Sequence, residues 1–325
     1  MKKILFILCC LLLITGCGKK SDNVLDKLEK KIKNADSYSL KGVLSISRGN
    51  DNYTYDVNCA FLSNDNYRVS LINKVNNHEQ IILRNSSGVF VVTPSLNKSF
   101  KFESDWPYNN SQVYLLQTIL SDIKNDDDVE VKKEKDFYVI KSKVNFTNNT
   151  NLAYQKVYVD SNYDIVMVEV YDKNDNVNMT MNINDINYDA KFDNNYFALE
   201  FTNTEKLDET LNEIKDIVYP MYVPVNTYLT NQETIKTVNG DRVILTFDGE
   251  NPFMLVEETV NIPDTLETNM VYGDPDIISD TIGSVTDYSV SWMSNGYEYY
   301  LMSNDLSIEE MMNVASSVSV MPVGK

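Results

Sequence analysis

From Tyr38 to Leu71 the chain alternates apolar and polar residues in short runs, and a stretch patterned this way buries one side of a sheet. Tyr38, Leu40, Leu44 and Ile46 alternate with Lys41, Ser45 and Ser47. Tyr53, Tyr55, Val57, Cys59 and Phe61 repeat the pattern, followed by Tyr67, Val69 and Leu71, then Ile81 to Leu83, then Val89 to Val92. Turn clusters such as Asn64-Asp65-Asn66 and Asn85-Ser86-Ser87-Gly88 separate the runs. Strands this close in sequence form an antiparallel meander.

One helix interrupts the strands. Residues Ser111 to about Asn125 carry Leu115, Leu116, Ile119, Leu120 and Ile123 on one side, with Ser111 placed as a cap. Trp106-Pro107 precedes it and Asp126-Asp127-Asp128 ends it. Strands are expected again near 129–133, 136–145, 154–160, 164–171 and 177–188. An earlier helix is expected from Asp22 to Ala35, with Leu25, Leu28 and Ile32 as its stripe and Glu29 and Lys33 as an i,i+4 pair. Residues 204–218 read as a short linking helix. A second region then carries strands near 226–237, 242–248, 253–260, 268–273, 285–293 and 297–303. Its last element is a helix opened by the capping box Ser307-Ile308-Glu309-Glu310.

The N-terminus bears on location. Met1-Lys2-Lys3 is basic, Ile4 to Ile14 is apolar, and Thr15-Gly16-Cys17 follows. That order reads as a secretory signal, and the run is shorter than the ~20 residues a spanning helix needs. Cys17 after Gly16 resembles the bacterial lipobox. The resemblance implies that residues 1–16 are removed and that Cys17 is acylated, tying residues 17–23 to the cell membrane on its extracytoplasmic side. Several acyl chains anchor stably where one does not. The net charge of −18 counts Lys2 and Lys3, so their loss leaves −20. Such a surface repels phosphate backbones, so no nucleic acid is expected as a partner. It also repels anionic headgroups, so attachment is expected to rest on the lipid alone. Cys9 and Cys10 leave with the signal, and Cys59 alone remains to the folded part, so no internal disulfide is expected.

Two stretches resemble known families. Residues 24–201 resemble the LolA-like lipoprotein-carrier fold in its Gram-positive, GerS-type sporulation and germination branch. The residues that carry this are the Leu25–Ala35 helix leading into Tyr38-Ser39-Leu40-Lys41-Gly42, and Asp105-Trp106-Pro107-Tyr108-Asn109-Asn110-Ser111-Gln112 entering the Leu115–Ile123 helix. Residues 225–325, with Pro252-Phe253, Ser291-Trp292 to Tyr297 and the ending Ser307–Ser317, resemble an uncharacterised domain fused behind that fold in sporulation lipoproteins. Residues 202–224 are the expected linker. The resemblance implies a mainly β (α+β) protein: a curved antiparallel half-barrel with helices across its concave face, followed by a smaller α+β domain. For a GerS-type protein it further implies a role as binding and activating subunit of an N-acetylmuramoyl-L-alanine amidase in spore cortex. A shuttling carrier must diffuse, and a chain with its own lipid anchor departs from that, which favours fixed scaffolding or sensing.

Catalytic constellations are hard to assemble from this composition. His78 is the single histidine and stands in a turn, reading as exposed filler, so zinc sites and Ser-His or Cys-His catalysis lack their parts. Cys59 lies on the apolar face of its strand and reads as a small core residue. Asp172-Lys173-Asn174-Asp175-Asn176 has the opening spacing of a calcium loop, but Val177 stands where Gly is needed and Ile183 where a bidentate Glu is needed, so it reads as a hairpin turn. Asp126-Asp127-Asp128 reads as a solvated acidic loop. No cofactor, metal or catalytic residue is expected. The remaining expectation is a cavity or an interface. The chain has 21 Tyr and 12 Met, types enriched at interfaces and adaptable to apolar ligands. Met179 and Met181 share one sheet face and, with Leu116, Leu120 and Trp106, are the candidate cavity or interface residues, packing against the central helix being the plainer reading. Tyr138 and Tyr158 are expected on the sheet exterior. An open apolar cavity would favour lipid or lipoprotein binding, and a cavity filled by the protein's own side chains would favour the binding-subunit role.

Overall fold

The computed structural model describes residues 18–48, 51–199, 214, 216–238, 240–294 and 296–318. The first helix, α1 (Gly18–Lys33), buries Val24, Leu28 and Ile32, one residue per turn on a single stripe. It begins before the expected start, so Asp22 lies inside the helix rather than at its cap. Strands β1 (Ser37–Arg48), β2 (Asp51–Leu62), β3 (Asn66–Asn73), β4 (Glu79–Asn85) and β5 (Gly88–Thr93) form the expected antiparallel meander. A further strand, β6 (Lys98–Phe102), continues it. That strand was not legible in advance, because five residues carrying Lys98 and Lys101 give too short an alternation.

The central helix, α2 (Leu116–Asn125), is shorter than expected, and Ser111 is not its cap. Ser111 Oγ instead accepts from Asn145 N–H at 2.7 Å, fastening the 105–115 loop to the chain after the next strands. Leu115 occupies the cap position with no side-chain bond of its own. The helix start is met from outside: Leu116 N–H donates to Tyr38 Oη at 3.3 Å, and that hydroxyl donates to Gln117 Oε1 at 2.7 Å. Strands β7 (Glu130–Glu134), β8 (Phe137–Lys143), β9 (Leu152–Val159), β10 (Ile165–Asp172) and β11 (Val177–Asn187) follow, and β11 returns to pair with β1. One core cluster holds the apolar faces of α1 and α2 together with Val91 of β5, Leu44 of β1 and Ile140 of β8. Strands so far apart in the sheet share one core because the sheet curls around the helices as a half-barrel. Part of its outer face is covered as well: Phe192, Tyr196 and Phe197 pack on Ile81, Leu83 and Phe90.

The second sheet is built from β12 (Thr227–Thr237), β13 (Gly240–Gly249), β14 (Phe253–Thr259), β19 (Tyr297–Met302), β18 (Ser289–Ser294), β17 (Thr281–Val285) and β16 (Asp274–Ile278), in that spatial order. The last helix, α3 (Ile308–Ser317), packs on it through Met311, Val314 and Ala315. The strand expected at 285–293 is divided by a turn in which Thr286 Oγ1 accepts from the N–H groups of Tyr288 and Ser289. The linking helix expected at 204–218 falls largely outside the described residues, and 216–219 are not helical. One strand of this second region, β15 (Glu267–Val271), does not join the second sheet. It pairs in parallel with β6 and becomes the edge of the first sheet, which has twelve strands among the described residues.

Candidate functional site

The expected cavity residues come together. Leu116, Leu120, Trp106 and Met181 all belong to the core cluster of the half-barrel, and Met179 packs against it. Met181 lies opposite Leu44 and Val168 in the sheet. A Cβ at Gly42 would stand 2.6 Å from the Met181 methyl and 2.2 Å from the Asn182 carbonyl oxygen, so the missing side chain is what lets Met181 fill that space. Leu116, Trp106 and Met181 are buried to 1% exposure or less, while Leu120 also borders a groove beside the helix.

The second region supplies part of that packing. Ile282 is a member of the half-barrel core, and Val271 and Ile277 lie against it. Polar bonds fix this insertion. Gln80 Oε1 accepts from Ile282 N–H and from Thr281 Oγ1 at 3.0 Å, while its Nε2 donates to the Ile282 carbonyl at 3.3 Å. Tyr55 Oη donates to the Ser279 carbonyl at 2.6 Å, and Arg48 donates to the Ile277 carbonyl at 2.8 Å and to Ser316 Oγ at 2.6 Å. The 104–109 segment takes part too. Asn109 Nδ2 and Ser104 Oγ both donate to Asp274 Oδ1, and Arg84 donates to the Trp106 carbonyl.

Open space lies at the flanks of α1. A groove of about 410 Å³ runs between α1 and α2, with Ile32, Phe61 and Leu120 in its floor and Lys33 and Lys124 on its rim. A second, of about 390 Å³, is lined by Lys27, Lys30, Lys31, Asn34, Tyr163 and Tyr188. Cys17 lies outside the described residues, one position before α1 begins.

The titratable side chains singled out in sequence each have a local structural setting. Burial pushes the Cys59 thiol up to about 12, which leaves it protonated and unreactive at neutral pH. His78 is not exposed filler, as its position in a turn suggested: it is half-buried, its ring nitrogen lies 3.0 Å from Ser95 Oγ, and burial lowers its pKa. The Asp172 turn is closed on itself, with Asp172 Oδ1 accepting from the N–H groups of Asn174 and Asn176 at 2.8 and 2.9 Å. Asp126 likewise accepts from the N–H groups of Asp128 and Lys143. Among the described residues no group of three or more His, Cys, Asp or Glu is arranged to hold a metal ion. Three carboxyls whose protonation the fold favours were invisible to sequence reading. Asp122 on α2 is pushed up to about 7 by burial, Asp276 on β16 is raised by burial, and so is Glu257 on β14. Asp276 is held by Asn148 Nδ2 at 3.0 Å and Glu257 accepts from Val218 N–H at 3.1 Å, so both carboxyls fasten segments together. Their types are ordinary in sequence, and only the folded surroundings distinguish them.

The two singled-out tyrosines part company. Tyr158 lies on the outer face and donates to Glu169 Oε2 at 2.8 Å. Tyr138 does not: its sheet partner is Val159, a core residue, and it packs against the same core and stacks on Tyr163.

The sequence profile of YdcC-like sporulation proteins matches residues 1–197. Over 318 residues the chain is 33% identical to the sporulation protein YdcC of Bacillus subtilis, covering 96% of this chain and 94% of that one. The chain belongs to the YdcC-like family of sporulation proteins. Among solved structures, this YdcC-like chain is similar to the LolA superfamily protein NE2245 from Nitrosomonas europaea, at 12% identity and a TM-score of 0.33, over 55% of this chain and 98% of that one. It is also similar to the Clostridioides difficile structure of the CwlD amidase with the GerS lipoprotein, at 17% identity and a TM-score of 0.31, over 50% of this chain and 91% of the matched one.

Proposed function

We propose that this YdcC-like chain is a lipid-anchored, extracytoplasmic and non-catalytic binding subunit that serves peptidoglycan modification in the spore cortex or germination. The observation that carries this reading is the filled half-barrel. Its concave face is occupied by α1, α2 and the Ile277 and Ile282 side chains of the second region, leaving the outer surfaces as the means of action. Membership of a sporulation family supports the setting. The basic, apolar, small-residue and cysteine order of residues 1–17 supports a lipid on Cys17. The partner class follows the GerS-type resemblance: an N-acetylmuramoyl-L-alanine amidase.

A second reading has one observation in its favour. The groove between α1 and α2 has an apolar floor and a lysine rim, which suits a lipid or an acylated peptide. One experiment separates the two. The mature protein is mixed with the amidase of the same organism and run on a sizing column, with amidase activity assayed in the fractions. Co-elution with raised activity, and no hydrolysis by this chain alone, is expected. An amidase fully active alone that never co-elutes would sink the activating-subunit reading and leave lipid binding as the better one.

A further inference from the structure

The charge of this molecule is unevenly placed. The chain as a whole carries −18, yet α1 holds Lys19, Lys20, Lys27, Lys30, Lys31 and Lys33 against only Asp22, Asp26 and Glu29. Lys27, Lys30, Lys31 and Asn34 recur at helical spacing, so they share one face beside the buried Val24, Leu28 and Ile32 stripe. That face borders the groove of about 390 Å³ closed by Tyr163 and Tyr188. Lys27 Nζ donates to Tyr163 Oη at 2.8 Å and lies 4.5 Å from that ring centre, and Lys31 lies 4.8 Å from the Tyr188 ring centre. Lys31 is also paired with Asp164 at 2.5 Å, and Asp160 stands near Tyr188. Among the described residues no carboxylate is bonded to Lys27 or to the exposed Lys30.

We infer that this lysine and tyrosine groove is a docking surface for anionic phospholipid headgroups, which lays α1 against the membrane that the Cys17 lipid enters. The inference rests on the lipid-anchor reading, because that anchor brings α1 to the bilayer. Three features select this occupant. The helix starts one residue after Cys17, so at about 1.5 Å per residue Lys27 and Lys31 lie roughly 15 and 21 Å along it from the lipid, within reach of the headgroups when the helix lies flat. Its cations complement an anionic surface while the acidic remainder is repelled. Screening limits that repulsion to a Debye length of about 8 Å, so acidic groups held farther away do not cancel the local attraction. Tyrosine rings are favoured at the headgroup level, where one side is apolar and the other wet. The expectation that membrane attachment needs the lipid alone therefore changes: the lipid supplies the hold, and α1 supplies orientation and a preference for anionic lipid.

The test uses the lipidated full-length mature protein on vesicles of phosphatidylcholine alone or with added phosphatidylglycerol. Accessible amines are acetylated and read by mass spectrometry, with Lys132, whose side chain is 68% exposed, as the internal reference. Lys27, Lys30 and Lys31 should be protected only on the phosphatidylglycerol vesicles, and the protection should vanish at high salt. A Lys27→Gln, Lys30→Gln, Lys31→Gln variant should leave those vesicles on the order of a hundredfold faster, since each of the three lysines near an anionic surface contributes roughly fivefold. Its release from phosphatidylcholine should not change. Equal acetylation on both vesicle types overturns the docking surface while leaving the lipid anchor standing. Failure to sit on either vesicle overturns the anchor, and the docking surface with it.

Discussion

Cys59 and Asp122 show how burial sets the chemistry of single side chains here. Cys59 lies 2% exposed within the half-barrel core, and its thiol is raised to about 12. A thiol reagent at mildly alkaline pH should therefore leave the native protein unlabelled and react at once when it is unfolded in denaturant. Fast labelling of the native protein would contradict the buried assignment. Cys59→Ser should cost about 1–3 kcal/mol, because a hydroxyl in that setting is poorly satisfied. Asp122 behaves in the opposite sense from most carboxylates. Its folded pKa of about 7 is above the ordinary 3.8, so the folded protein holds a proton that the unfolded chain has released. Stability contributed by the neutral form is present below about pH 4 and declines as pH rises toward 7. Asp122→Asn should accordingly raise the melting temperature at pH 8 and change it little at pH 4. Equal effects at both pH values would show that Asp122 is charged throughout.

At the scale of elements, the two sheets are fastened by side-chain to main-chain bonds. Gln80 is 4% exposed and serves both the N–H and the carbonyl of Ile282, as well as Thr281. Gln80→Ala leaves those buried groups without that partner, and each such group costs about 1–3 kcal/mol. The variant should unfold at markedly lower denaturant concentration, and hydrogen exchange should quicken first in β16 and β17. An unchanged midpoint would show that Gln80 does not couple the sheets. The end helix shows how a local signal is partly redirected. Ser307 Oγ accepts from Glu310 N–H at 3.2 Å, which is half of the expected capping box. The Glu310 carboxylate accepts from Tyr222 Oη at 2.8 Å instead, so the other half is spent on holding the chain that leads into the second sheet.

For the molecule as a whole, the proposed lipid anchor and the fold are separable. Cys17 precedes the first described element, and no described contact depends on it. Cys17→Ala should abolish membrane retention while the soluble protein keeps its circular dichroism and melting temperature. A variant that still pellets with membranes at high salt after normal processing would end the lipoprotein reading. His78→Ala should leave sporulation largely intact, since His78 contacts Ser95 and has no catalytic neighbour. Loss of function at unchanged stability would reopen an enzymatic role.

The meander from β1 to β5, the apolar side of α2 and the start of α3 were legible in sequence, because each depends on local periodicity or on a cap within the same few residues. That Met179 and Met181, or Leu116 and Leu120, share a face follows from spacing two and spacing four; Trp106 joins the same core cluster through no such spacing. Tertiary structure decided what local pattern cannot encode. Tyr38 starts α2 across 78 residues, so Ser111 was free to bind Asn145 instead. β15 carries Glu267 and Asn269 in only five residues, and its place beside β6 depends on Asn97, whose carbonyl accepts from Glu267 N–H at 2.9 Å and whose side chain donates to the Pro263 carbonyl. The second region's share of the half-barrel core rests on Ile282, which is bonded to Gln80 across 202 positions. Periodicity reports which face of an element is buried; which element covers that face is set by shape and by hydrogen-bond partners distant in sequence.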